Sequence, residues 1–125
     1  MVELRYSLIF LFVISACSQA TSNTKVTINN NLSNCIEIDN TNVVYKDGMP
    51  MLEVSYQKIK STAECGCKSA LSEYSSQLKM DGYNSPLLTA KLIFEERKLE
   101  IPLATSKKMI GDFNVLVSFS CALPD

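Results

Sequence analysis

Cysteine is the residue type through which this chain could do chemistry, and it occurs at positions 17, 35, 65, 67 and 121. Cys65-Gly66-Cys67 sets two thiols one residue apart. That spacing suits a thiol redox centre or, as thiolates, chelation of copper(I). Met49-Pro50-Met51 would add two soft thioethers to a copper site. The competing chemistry is structural. With Cys17 set aside, Cys35, Cys65, Cys67 and Cys121 form an even set, which in an exported protein reads as two disulfides. Histidine is absent, so no imidazole can stand beside either thiol. A reactive dithiol would also leave no role for a matching second pair. The sequence points to disulfides.

Four cysteines allow three pairings. A Cys65–Cys67 bridge is disfavoured, because residues two apart on an extended strand hold their Cα atoms about 6.5 Å apart, at the limit of disulfide geometry. Cys35 and Cys121 are then each tied to one member of the Cys65/Cys67 pair. Of the two ways to do this, Cys35–Cys67 with Cys65–Cys121 is the one expected. Either arrangement closes long loops, each bridge contributing about 3–4.5 kcal/mol in the chain-entropy treatment.

Little other chemistry is encoded. Without histidine, Ser/His and Cys/His catalysis are excluded, and no G-x-S-x-G elbow or Gly-rich phosphate loop occurs among the four glycines. Glu37 and Asp39 share a strand face and could hold a hard cation, but solvated neighbouring acids are the plainer reading. Glu95-Glu96 sits beside Arg97 and Lys98 in a turn, and Lys107-Lys108 is too small for a nucleic-acid patch. Asn31-Leu32-Ser33 matches a glycosylation sequon. The net charge of −1 and pI near 5.5 give no footprint for nucleic acid. The reading is a non-enzyme with no cofactor and no nucleic-acid partner.

The amino terminus is an address. Arg5 precedes the unbroken apolar run Leu8–Ile14, followed by the small residues Ser15 and Ala16, the pattern of an export signal. Seven apolar residues rise only about 10 Å as a helix, against the roughly 30 Å hydrocarbon layer, so the segment cannot remain as a span. Ile14-Ser15-Ala16-Cys17 resembles the lipobox of bacterial lipoprotein precursors, with Ile in place of the commoner Leu. The resemblance covers about the first 20 residues. It implies that Cys17 is acylated, that the signal is cut before it, and that acyl chains hold the protein to a membrane. Ser18, beside the cysteine, implies the outer membrane. Several acyl chains, each worth about 0.8 kcal/mol per buried methylene, would make attachment effectively permanent. The organisation expected is residues 1–16 as signal peptide, 17–24 as lipidated cysteine and flexible tether, and 25–125 as one domain.

The domain reads as all-β. From Asp112 to Cys121, Phe113, Val115, Val117, Phe119 and Cys121 alternate with more polar neighbours, the mark of a half-buried strand. Leu92–Phe94 and Leu99–Ile101 flank Glu95–Lys98 and read as a hairpin, which confines Pro102 to a strand end, bulge or edge. Met51–Lys60 alternates through Leu52, Val54 and Tyr56 after the turn signal Asp47-Gly48. Val26–Ile28 makes a first strand. Cys35–Ile38, continuing to Val43–Tyr45 beyond an Asp-Asn-Thr-Asn interruption, makes a second. Lys68–Met80 has helical spacing at Leu71, Tyr74 and Leu78. Its four serines would compete for helical backbone groups, however, so a strand with a bulge is expected. About seven strands at this spacing predict an antiparallel β-sandwich, immunoglobulin-like in outline, with a small closed barrel as the alternative.

Two functions of different class follow. In one, a lipid-anchored envelope protein presents the edges and loops of its β domain to another envelope protein. In the other, a periplasmic thiol-redox or copper(I)-handling protein works through Cys65 and Cys67. Inhibition of a lytic enzyme is a third, without a motif of its own.

Overall fold

A computed structural model of the chain describes residues 24–95 and 97–123. The lipobox, Cys17 and most of the tether lie outside these residues. Seven strands follow one another: β1 (Val26–Asn30), β2 (Ile36–Lys46), β3 (Met49–Lys58), β4 (Ser72–Lys79), β5 (Asn84–Leu92), β6 (Lys98–Pro102) and β7 (Val115–Cys121). Among the described residues, two short 3-10 turns, Thr62–Cys65 and Lys107–Met109, interrupt them. The strands form a four-stranded sheet in the order β1-β7-β4-β5 and a three-stranded sheet in the order β2-β3-β6. No ladder joins the two sheets among the described residues, so the architecture is an open sandwich and not a closed barrel. Seven strands in two sheets make the expected β-sandwich, in a strand order different from the immunoglobulin one.

Period-two patterning explains most of the inner faces. Leu52, Val54 and Tyr56 of β3 are buried, as are Val115, Val117 and Phe119 of β7. On β4 the inward positions are Ser72, Tyr74, Ser76 and Leu78. The helical spacing there is incidental, because the same residues also satisfy alternation. Asp47 and Gly48 both take positive φ (51° and 77°), forming the two-residue turn that matches strand twist between β2 and β3. Strand β2 passes through its Asp-Asn-Thr-Asn interruption by a bulge between Ile38 and Asn40.

Three expectations are corrected. Leu92–Phe94 and Leu99–Ile101 do not form a hairpin. Leu92 ends β5 in one sheet, Leu99 and Ile101 belong to β6 in the other, and residues 93–97 cross between them. The crossing is driven by Phe94, which is buried against Tyr56 and Phe119 with ring centroids 5.0 and 5.7 Å apart. The last strand is also shorter than expected, leaving Phe113 outside it and exposed. Finally, the sheets are not wholly antiparallel, since β1 runs parallel to β7 from Val26↔Val115 to Asn30↔Phe119. Strand β5 escaped sequence reading because it is an edge. Only Leu92 of it is fully buried, Pro86 interrupts it, and the bulge in the β4–β5 pairing places the extra residue, Leu87, on this side.

These registers define two poles. Thr24 and Lys25, the β2–β3 turn, the β4–β5 turn at Asp81-Gly82 and the loop 103–114 gather at one end, the tether pole. The turn 31–35, the loop 59–71, the crossing 93–97 and the end of β7 gather at the other.

Candidate functional site

The cysteines are brought together at the second pole. Cys35 stands in the turn before β2, and its carbonyl accepts from the backbone N–H of Ile59 and Lys60 (2.7 and 3.3 Å), holding the chain as it leaves β3. The first cysteine of the following loop, Cys65, is bonded to Cys35. Gly66 then takes a left-handed conformation (φ 88°), which turns the chain so that Cys67 reaches Cys121 at the end of β7. The pairing is therefore Cys35–Cys65 with Cys67–Cys121, not Cys35–Cys67 with Cys65–Cys121. The physical reason is the path of the loop. It leaves the three-stranded sheet beside Cys35 and enters the four-stranded sheet at Ser72, whose register partner is Cys121. Each cysteine of Cys65-Gly66-Cys67 thus meets the partner nearest its own end of the loop. The motif is a clasp between the two sheets.

Methionine is not part of this cluster. Met49 opens β3 and Lys58 closes it, so Met49 and Met51 stand at the tether pole, about 30 Å of extended strand from the clasp. Glu37 is exposed opposite Gln57, while Asp39 occupies the β2 bulge, which breaks the face they were expected to share. No group of three acidic or cysteine side chains suited to a metal occurs among the described residues. Lys107 and Lys108 lie in the second 3-10 turn, with the Lys107 ammonium 5.0 Å above the Tyr45 ring. The sequon turn is fixed locally. Asn31 donates to Phe119 O, Asn30 Oδ1 accepts from Leu32 N, and Leu32 itself is buried.

At the same pole as the clasp lies a groove of about 620 Å³, lined by Asp39, Ser55, Tyr56, Gln57, Lys58, Glu95, Arg97 and Lys98. The ladder between β6 and β3 ends at Ser55, and among the described residues Tyr56 N then donates to Arg97 O (2.9 Å). The groove's rim mixes Asp39 and Glu95 with Lys58, Arg97 and Lys98. Such a surface offers charges of both signs beside the end of β3, which suits a polar peptide better than a small apolar ligand. Sequence reasoning missed this groove, since where β6 stops is a matter of pairing and not of residue type.

A family model described as an uncharacterised protein conserved in bacteria (DUF2195) matches residues 11–124. The chain belongs to this family. No curated protein and no solved structure matches it. The DUF2195 match takes in Cys17 together with the whole β domain, so the clasp, the groove and the tether all lie inside the family's span.

Proposed function

We propose that this chain is a non-catalytic, lipid-anchored protein of the bacterial cell envelope that presents a disulfide-clasped β domain to a protein partner. The observation that carries the reading is the state of the cysteines. All four in the described domain are joined in two disulfides, which belong to an oxidising compartment, and the fifth, Cys17, follows the signal-like run at residues 8–16. The partner is another envelope protein, docking at the groove where β3 extends beyond β6. Ser18 directs the anchor to the outer membrane.

Two measurements test this. Metabolic labelling with a palmitate analogue marks the wild-type protein, and Cys17→Ala abolishes the label; an unlabelled wild type or a labelled variant overturns the anchor. A photo-crosslinking residue at Gln57 captures an envelope protein in cells, whereas one at the distant Thr89 does not. Equal capture from both positions, or none from Gln57, removes the groove as the docking site. Free thiols at Cys65 and Cys67 in the native protein would instead favour the redox or copper(I) reading.

A further inference from the structure

The tether pole carries an apolar fringe that the core does not use. Of the seven large exposed hydrophobic side chains among the described residues, four stand here, Met49 at the start of β3 and Tyr83, Met109 and Phe113 in the loops, while Ile59, Ile93 and Leu123 stand at the clasp pole. These loops form one continuous end. Lys79 N donates to Asn114 O (2.9 Å), placing the β4–β5 turn that bears Tyr83 against the loop that bears Phe113. Lys107 N donates to Gly48 O (3.2 Å), placing the turn that bears Met109 against the residue preceding Met49. The chain enters the fold at the same end, where Val115 N donates to Lys25 O (2.9 Å) and Thr24 Oγ1 lies 2.9 Å from Tyr45 Oη. Exposed Lys25, Lys79 and Lys108 stand on the same segments, together with exposed Asp47, Asp81 and Asp112.

We propose that this pole rests on the phospholipid surface to which the acyl chains hold the protein, with Tyr83 and Phe113 seated at the headgroup–acyl boundary. The proposal rests on the lipid-anchor reading and adds an orientation to it. Aromatic rings with interspersed lysines are the side chains that partition to that boundary. Geometry decides which pole takes the place. Six residues separate Cys17 from Thr24, and the seven chain steps between them reach at most about 25 Å, less than the roughly 30 Å length of β3. The clasp pole therefore faces away from the bilayer, which leaves the groove open to a partner.

The chain contains no tryptophan, so single reporters are clean. Phe113→Trp, Tyr83→Trp and Leu123→Trp are made in the full-length protein and extracted from bacterial membranes. Each is reconstituted into phosphatidylethanolamine/phosphatidylglycerol vesicles containing a lipid brominated near the headgroup. Flotation reports the anchor, and quenching reports the pole. The expected result is flotation of all three, with strong quenching at positions 113 and 83 and little at 123. Flotation with equal quenching at all positions, or with none at 113 and 83, overturns the orientation and leaves the anchor standing. Failure to float overturns the anchor and this proposal with it. If the reporter at position 113 is shielded from aqueous acrylamide in whole envelopes but not in lipid vesicles, the pole belongs to a protein and the lipid assignment is overturned.

Discussion

At the scale of single residues, Tyr74 shows how one side chain joins the two sheets. It lies on the inner face of β4, is buried, and donates its hydroxyl to Pro102 O of β6 across the core (3.0 Å). Burial pushes its phenol above the ordinary value of 10.0, because the ionised form would lose its water. The sign follows directly. Once pH exceeds the ordinary tyrosine value, the unfolded chain has released a proton that the folded chain still holds, so stability falls as pH rises. Lys46 acts in the same direction, its ammonium raised by the hydrogen bond to Glu100 and by that carboxylate's charge. Tyr74→Phe is expected to cost about 1 kcal/mol at neutral pH by removing the hydrogen bond. Urea titrations repeated above pH about 10 should show a shallower alkaline loss in the variant than in the parent. Identical alkaline slopes would mean that this phenol holds its proton equally in the folded and the unfolded chain. The neighbouring Ser72 and Ser76 hydroxyls are buried without a hydrogen-bond partner, and nothing in the structure explains their polarity.

At the scale of elements, the crossing between β5 and β6 is one of four connections that pass from one sheet to the other. Ile93 is 48% exposed and Phe94 only 2%. Phe94 closes the clasp end by meeting Tyr56 of β3 and Phe119 of β7 edge to face. Two adjacent apolar residues should therefore behave very differently. Phe94→Ala is expected to cost about 3–5 kcal/mol, while Ile93→Ala stays within about 0.5 kcal/mol of wild type. Chemical denaturation of both variants checks the pair, and similar losses would place the side chains otherwise. In the sequence the two residues look alike, which is why Leu92–Phe94 reads as a strand. Only the partner rings distinguish a strand's alternation from a plug.

At the scale of the whole molecule, stability leans on the clasp. Cys35–Cys65 closes 30 residues and Cys67–Cys121 closes 54. Removing such loops' constraints on the unfolded chain costs about 3.5 and 4 kcal/mol respectively in the chain-entropy treatment. A domain of this size commonly has only about 5–15 kcal/mol in hand. Reduction is accordingly expected to lower the thermal midpoint sharply, followed by circular dichroism with and without dithiothreitol. The Cys67→Ala/Cys121→Ala variant should lose at least as much as Cys35→Ala/Cys65→Ala. An unchanged midpoint after full reduction would show that the core holds the sheets together unaided. The same clasp sets the polarity of the molecule, because it lies at the end opposite the incoming chain.

Residue types and their spacing were enough to determine the all-β class, the Asp47-Gly48 turn, most strand positions and the expectation of two cystines. Each depends on local sterics, on alternation along one strand, or on counting. The pairing of those cystines, the crossing at Phe94, the parallel β1–β7 ladder and the groove beside β3 were decided only by tertiary structure. All four depend on which strand lies next to which, and residues about 25 to 90 positions apart in the chain meet there. Such meetings arise from packing the two apolar faces together, and alternation within one strand carries no record of its neighbour.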